Sequence, residues 1–337
     1  MLVTEHLGPF KYFIVVLFCF LATNKIYSQN YPDSTLNTLL KKGIELIITQ
    51  QYKDASKVFN LLNKNYPHLP FGKIYLAANE IARNYDYAEN LNSDSIRYYL
   101  KSAVRQSDSL LEINKNNVWY QYFVALSEGY LSYYNALTKN WFSALDEAIS
   151  SVSGFEKCLK IDPHFYEAYI AIGTFKYWKG RKTQFLNWLP FIPNEEKSAI
   201  KLLNFAVNHS SYNTYLAINS LIWIYIDRKE PLRAVELAGN ALKKYPNSRF
   251  FMWGLARAYE NLNVEKAIHI YNNLLNSYLK VESNNGFNEI LLKYILAKLY
   301  YKAGDKTESL RLCNEILNIK NISTSVKRRL KDRLEEV

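Results

Sequence analysis

The chain has 337 residues, 49% of them apolar and 22% charged, which excludes a disordered polypeptide and leaves room for two ordinary domains or one long repeat array. Gly (11) and Pro (9) are too scarce for the many turns of a large β-sandwich, whereas the 28 Tyr suit the spaces between packed helices. The formal net charge of +11 favours an acidic partner, yet basic and acidic residues are mixed along the sequence, which argues against nucleic acid as the partner.

The first 28 residues have the pattern of a secretory signal peptide. An apolar run of 12 residues, 12–23, follows Lys11 and is shorter than the roughly 20 residues that a membrane-spanning helix needs. Ser28 provides a small residue at the expected cleavage site, although the bulky Ile26 stands two residues before it. We therefore expect an exported protein, periplasmic or extracellular. Two alternatives stay open: an uncleaved N-terminal anchor at a membrane, and a first buried helix.

Residues 36–69 predict a first helical hairpin of about 34 residues. Gly43 stands where a small residue lets two helices approach closely, and Ala55 and Phe59 follow at the spacing of the second helix. Pro67 then ends that helix, because proline cannot continue the helical hydrogen-bond pattern. The segment is therefore one complete helix–turn–helix unit.

The middle of the chain has a longer period. Ala77, Ala125 and Gly173 are 48 residues apart, as expected for the small residue at the crossing point of successive hairpins. This spacing predicts three enlarged repeats near residues 70–117, 118–165 and 166–214. In the first and third of them, the extra residues fall between the two helices, at 83–94 and 180–196.

The last part of the chain returns to the shorter period. Three repeats are predicted near residues 215–248, 249–289 and 290–323, each with a Leu-containing first helix and a small residue early in the second. Residues 324–337 follow as a helix with Val326, Leu330 and Leu334 on one face. A helix with one apolar stripe and a charged outer face suits the end of an open repeat array.

These patterns resemble the tetratricopeptide repeat family over residues 36–323. The segment Met252-x2-Leu255-Ala256-x2-Tyr259, followed by Ala267-x3-Tyr271, carries the family motif in the sixth repeat. The resemblance implies an all-α fold, a tetratricopeptide-like α-solenoid in which antiparallel helical hairpins form a right-handed superhelix. It also implies a non-enzymatic scaffold whose partner is a protein or peptide.

The resemblance further implies a concave groove lined by the first helix of each hairpin. In the family, the second, fifth, ninth, twelfth and thirteenth positions of a repeat face this groove. Aromatic and Arg side chains at such positions suit partner binding, since they dominate binding hot spots. A helix rotated by one residue would instead place the Trp side chains in the core. The predicted groove consists of Tyr177, Trp178, Asn219, Trp223, Phe250, Trp253, Arg257, Tyr294, Lys298 and Tyr301.

The insert 181–193 is unusually apolar for a loop. It contains Phe185, Trp188, Leu189 and Phe191. Because large exposed apolar patches are rare, we expect the insert to fold back onto the array. The alternative is a docking element that touches a partner or a membrane.

The sequence shows no catalytic motif. His164 with Glu167, and Glu265 with His269, are the close His–carboxylate pairs, and neither has a second His at metal-ligand spacing. We therefore predict no enzyme activity, no cofactor and no metal. The favoured function is an interaction scaffold or adaptor of the cell envelope. The alternative is a membrane-surface-associated helical repeat protein, held by its N-terminal segment and the 181–193 insert.

Overall fold

The computed structural model describes residues 29–91, 93–182, 195–281, 285–320 and 322–337. Those residues form sixteen helices and no strand, so the predicted all-α fold is confirmed. The predicted signal peptide and the four aromatic or aliphatic residues singled out in the insert lie outside the described residues.

The helices pair into seven consecutive hairpins, α1 with α2 through α13 with α14, followed by two short C-terminal helices. Each helix from α1 to α14 packs against the next, and the first helices of several neighbouring hairpins also touch, for example α1 with α3 and α9 with α11. The helices are α1 Ser34–Ile48, α2 Tyr52–Asn65, α3 Phe71–Asp86, α4 Asp94–Ile113, α5 Val118–Leu137, α6 Trp141–Ile161, α7 Tyr166–Lys182, α8 Glu196–His209, α9 Thr214–Asp227, α10 Pro231–Lys244, α11 Arg249–Tyr259, α12 Val264–Leu279, α13 Phe287–Lys302, α14 Lys306–Leu317, α15 Thr324–Arg329 and α16 Lys331–Glu335.

Local sequence signals explain where several helices begin. The Asp33 side chain accepts a hydrogen bond of 2.8 Å from the Leu36 amide and so caps α1. Asn117 accepts from the second and third amides of α5 in the same way. These caps satisfy amides that have no partner inside the helix. Pro231 occupies the first turn of α10, where its missing N–H costs nothing.

Small residues lie where helices cross. A methyl group added at Gly43 would stand 2.3 Å from the ring of Phe59, so α1 and α2 approach too closely for any larger residue. In the third hairpin, Ala125 of α5 faces Gly154 of α6, where an added Cβ would lie 2.9 Å from the alanine methyl group. The small residues in the sequence therefore mark helix crossings.

The enlarged middle repeats differ in where their extra residues lie. Helices α4, α5 and α6 have 20, 20 and 21 residues, compared with 15 and 14 for α1 and α2. In the third hairpin the added length is thus in the helices themselves. Helices α7 and α8 of the fourth hairpin have 17 and 14 residues, so the added length of that repeat does not lie in its two described helices.

The array curls until its N-terminal hairpins contact the C-terminal half. Asp86, at the end of α3, forms a nearly buried ion pair with Arg249 at the start of α11; their side chains are 11% and 9% exposed. The hydroxyls of Tyr52 and Tyr278 donate to the same carboxylate, at 3.1 and 2.8 Å. One carboxylate therefore joins the first, second and sixth hairpins.

Further hydrogen bonds extend this closure along the molecule. The Ser248 hydroxyl donates to the carbonyl oxygen of Ile48 at 2.8 Å, and Arg329 of α15 donates to that of Ala88 at 2.7 Å. At the other end, the Tyr31 amide donates to the hydroxyl of Tyr212 at 2.8 Å. The N-terminal and C-terminal halves of the array are thus in contact at several separate points.

A buried polar network fills part of the interior. Glu167 of α7, only 4% exposed, accepts hydrogen bonds from the amides of Ser211 and Tyr212, both at 2.7 Å. The Asn213 side chain donates to the other oxygen of this carboxylate at 2.8 Å and also to the Tyr75 hydroxyl. Burial raises the pKa of Glu167, although these donors oppose the effect. The network fixes the connection that leads into α9.

Candidate functional site

The predicted groove residues lie on the first helices α7, α9, α11 and α13, but they differ in accessibility. Tyr177 is 1% exposed, and its hydroxyl donates to Asp227 at 2.6 Å. Its assignment as a partner-contacting residue is therefore corrected: α7 packs against α9 at this point, which buries the ring between them. Its neighbour Trp178 is half-buried and lies edge-on to the Tyr177 ring, with the centroids 5.1 Å apart.

Asp227 also binds Arg181, whose guanidinium donates to it at 3.2 Å. Burial alone would raise the pKa of this carboxyl, but the hydrogen bonds from Arg181 and Tyr177 outweigh burial and lower it. The carboxylate thus stays charged and links the ends of α7 and α9. On α9 itself, Asn219 and Trp223 are half-buried.

On α11, two of the predicted groove residues are tied to their neighbours. The Phe250 ring packs against Tyr215 of α9, with the centroids 5.8 Å apart, and the Trp253 indole donates to the Tyr278 hydroxyl at 3.1 Å. Both side chains are half-buried. Arg257 is exposed and forms an ion pair with Glu260 on the surface.

On α13, the predicted groove residues form a polar edge. The Lys298 ammonium lies 3.1 Å from the Tyr294 hydroxyl and 3.2 Å from the carboxylate of Glu336. The pKa of Glu336 is lowered by its hydrogen bond from Tyr294 and by Lys298. Tyr301 extends from the same helix with 64% of its surface exposed. Arg257, Lys298 and Tyr301 are therefore the predicted groove residues most open to a partner.

A second surface, which we call the basic cleft, was not predicted. It has a volume of about 1250 Å³ and lies where the α3–α4 connection, the end of α5, the start of α6 and the C-terminal helix α15 meet. Its described lining includes five basic residues and two acidic ones. The charged residues are Glu89, Arg97, Lys101, Lys139, Glu147, Arg328 and Arg329. Sequence reasoning missed the cleft because its walls come from segments that are far apart in the chain.

Next to the basic cleft, α6 presents an exposed apolar face, which we call the α6 stripe. It consists of Trp141, Phe142, Leu145 and Ile149, with exposed fractions of 63%, 92%, 60% and 56%. The opposite face of α6 buries Phe155 and packs on α5. The helical spacing of these four apolar residues can be read from the sequence. However, α6 has two apolar faces, and the sequence does not show which of them is buried.

The described residues contain no group of three or more His, Cys, Asp or Glu side chains that could hold a metal ion. A search of the same residues for a helix long and apolar enough to cross a membrane also found none.

The fold and the repeat spacing define the chain as a helical repeat protein of the α-solenoid class. Residues 251–278 match the family model described as "Tetratricopeptide repeat". This match and the fold confirm the resemblance to the tetratricopeptide repeat family. A comparison with curated proteins found no match.

Solved structures with a similar fold include tetratricopeptide proteins. The Cut9–Hcn1 hetero-tetramer of the APC/C is 15% identical with a TM-score of 0.53, and the match covers 88% of this chain and 49% of that one. YrrB, described as having an unusual peptide-binding site, is 14% identical over 67% of this chain and 97% of its own, with a TM-score of 0.44. A thermophilic tetratricopeptide protein from Thermus thermophilus is 13% identical over 66% and 98%, with a TM-score of 0.41. At these identities the likeness concerns the fold alone.

Proposed function

We propose that this chain is a non-enzymatic scaffold that binds a segment of a partner protein along the predicted groove. The observation that supports it is the exposure of Arg257, Lys298 and Tyr301 on the neighbouring first helices α11 and α13. Arg and Tyr are over-represented among residues that dominate binding energy, because each combines a large contact area with directional hydrogen bonding. The repeat architecture itself is suited to presenting such side chains over an extended surface.

The proposed site of action is the cell envelope. This proposal rests on the signal-peptide pattern of residues 1–28, and it requires that the mature chain begins near Gln29. The mass of the protein isolated from its own cells tests this directly. A full-length mass, with protein that stays on membranes after a high-salt wash, would favour the membrane-surface alternative instead.

The binding proposal is tested by capturing partners from envelope extract with the mature chain and identifying them by mass spectrometry. A double variant, Arg257→Ala with Tyr301→Ala, removes two exposed side chains and is expected to keep the fold, because neither is buried. The matched control, Lys243→Ala with Leu310→Ala, removes an exposed cation and an exposed apolar side chain from the second helices α10 and α14.

We expect a partner that is retained by the control and lost by the groove variant. Because Arg and Tyr contacts in a binding centre each contribute more than about 1 kcal/mol, the affinity should fall at least tenfold. Equal capture by both variants would refute the groove as the binding surface.

A further inference from the structure

We propose that the basic cleft is a second binding site, which takes an acidic, extended segment of a partner polypeptide whose apolar side chains rest on the α6 stripe. This site goes beyond the proposed groove and shares no residue with it. It combines positive charge inside a cleft with an apolar surface beside it.

The size of the cleft favours a polypeptide segment over a small metabolite. Its volume of about 1250 Å³ exceeds the roughly 300–1,000 Å³ of typical small-molecule sites. It is also built by several separate parts of the chain, which include the α3–α4 connection, α4, the end of α5, the start of α6 and α15. A cleft of this volume has room for several residues of an extended chain.

The charge of the cleft selects an anionic ligand. Lys101, Lys139 and Arg328 are exposed and form no ion pair with any residue that the structure describes. The two acidic residues of the lining also have partners, and the partner of Glu89 is a cation. Glu89 lies 3.4 Å from Arg83, and Glu147 accepts a hydrogen bond of 2.6 Å from Asn135. An excess of cations in a concave surface strengthens the local positive potential.

One cation of the cleft is held in place by the fold. The Arg329 guanidinium lies 4.0 Å from the centre of the Phe287 ring and donates one hydrogen bond to the carbonyl oxygen of Ala88. A guanidinium has five N–H donors, so several are left for a ligand carboxylate. A positioned Arg loses less conformational entropy on binding than a free one, which favours a bidentate carboxylate contact.

The α6 stripe indicates that the ligand carries apolar side chains as well as acidic ones. Trp141 and Phe142 follow directly after Asn140, which lines the cleft, and Leu145 stands between the cleft residues Ser143 and Glu147 on the same helix. A single extended segment can therefore place acidic residues in the cleft and apolar residues on the stripe. Exposed apolar patches with a polar border are typical of protein interaction sites.

Two other anionic partners fit less well. The surface of a bilayer cannot enter a concave cleft, so its lipid headgroups would not reach all the cations. Single-stranded nucleic acid needs aromatic rings for base stacking, but half of the stripe is aliphatic, namely Leu145 and Ile149. The combination of carboxylate-binding groups with aliphatic contacts favours a polypeptide.

The test uses a displayed library of random 12-residue peptides, selected on the mature chain, with affinities then measured by fluorescence polarisation. One double variant, called the cleft reversal, carries Lys101→Glu and Arg328→Glu and so reverses two exposed charges of the cleft. Lys243→Glu with Lys306→Glu makes the same charge change on exposed residues elsewhere. The stripe variant, Phe142→Ser with Leu145→Ser, removes two of the four apolar side chains of the stripe. Leu232→Ser with Leu310→Ser is its matched control, since both leucines are exposed. The wild type and all the variants, including the groove variant Arg257→Ala with Tyr301→Ala, are first compared by circular dichroism.

We expect selected peptides to be enriched in Asp and Glu beside Leu, Phe or Ile. The cleft reversal and the stripe variant should each weaken the binding of these peptides at least about tenfold, which corresponds to 1.4 kcal/mol. The two controls and the groove variant Arg257→Ala with Tyr301→Ala should leave binding unchanged.

Several results would overturn the proposal. These are selected peptides without acidic enrichment, peptides that bind the cleft reversal as tightly as the wild type, or no selected peptide at all. Cleft-dependent binding of a 12-nucleotide RNA or of vesicles with anionic lipids, without peptide binding, would reassign the cleft to that ligand. Acidic peptides lost only from the groove variant would support the proposed function and refute this second site.

Discussion

At the residue scale, close helix contacts depend on positions where even one methyl group is too large. Gly43 is the clearest case, because the Phe59 ring that it faces is fully buried and stacks on Tyr75, with the centroids 5.4 Å apart. A fully buried ring that stacks on a neighbour can shift less easily than the end of an exposed side chain. In contrast, Gly239 on α10 has no atom within 4 Å of the position where a Cβ would stand.

We expect opposite effects from the same substitution at these two glycines. Gly43→Ala should lower the free energy of unfolding by up to about 2 kcal/mol, because overpacking costs about 1–3 kcal/mol and the helix-propensity gain offsets only about 1 kcal/mol of it. Gly239→Ala should raise it by about 0.5–1 kcal/mol, since only the propensity gain applies. Urea denaturation of both variants measures this, and a stabilised Gly43→Ala would contradict the close contact between Gly43 and the Phe59 ring.

Glu167 illustrates a residue whose burial has a pH-dependent cost. Its pKa in the folded protein lies above the usual value of 4.5, with burial as the largest cause. In the unfolded chain this group ionises first as the pH rises, so ionisation favours the unfolded state between the usual pKa and the raised one. The carboxyl therefore contributes most to stability at low pH, and that contribution is lost as the pH rises through its folded-state pKa.

We predict that Glu167→Gln removes this titration while it keeps an acceptor for the amides of Ser211 and Tyr212. The free energy of unfolding of the wild type, minus that of the variant, should fall as the pH rises from about 4.5 towards neutrality. Urea denaturation at a series of pH values gives this difference. A difference that is constant or increases with pH would show that burial does not raise the pKa of Glu167.

At the element scale, the C-terminal helices close the apolar end of the array. Val326 and Leu330 are buried, 3% and 0% exposed, against Ile290 of α13 and Ile316 of α14. Without such a cap, the last hairpin of a repeat array leaves its apolar face in water. Helix α15 also supplies Arg328 and Arg329 to the basic cleft, so one short element serves both packing and the proposed binding.

A chain that ends at Ser323 should therefore expose the apolar surface of Ile290 and Ile316. We expect it to aggregate or to bind a hydrophobic dye, and to unfold at a lower urea concentration than the full chain.

Leu330→Ala is a milder test of the same cap, because removing a buried Leu side chain typically lowers the free energy of unfolding by about 2–5 kcal/mol. The exposed Leu317→Ala, 65% exposed at the end of α14, serves as the control and should change stability by less than about 0.5 kcal/mol. Equal stability of the two variants would argue against the capping role.

At the scale of the whole molecule, the closure depends on polar contacts between hairpins that are far apart in sequence. The buried pair of Asp86 and Arg249 is its centre, with the hydroxyls of Tyr52 and Tyr278 on the same carboxylate. Two charges held out of water are stable only while both are present and hydrogen-bonded. Loss of one partner leaves the other as an uncompensated buried charge.

We predict that Asp86→Asn lowers the free energy of unfolding by about 3–5 kcal/mol. The control, Glu308→Gln, breaks a surface ion pair with Arg311 and should cost no more than about 1 kcal/mol. Because the closure joins the N-terminal and C-terminal halves, small-angle X-ray scattering of Asp86→Asn should also show a larger radius of gyration than that of the wild type. An unchanged radius with lowered stability would mean that other contacts hold the array closed.

The sequence by itself was sufficient for the helical hairpins and the fold class. Caps such as Asp33, small residues such as Gly43 and the spacing of apolar residues are local signals, and local signals act between residues that are close in the chain. They also place the predicted groove residues on first helices, where the structure has them.

Only the tertiary structure decided which of these residues are accessible. Tyr177 is buried because α7 meets α9, and Asp86 meets Arg249 because the superhelix closes across more than 160 residues. The basic cleft arises from that same closure. Such contacts depend on small angles between successive hairpins that add up over the whole array, and no short stretch of sequence encodes their sum.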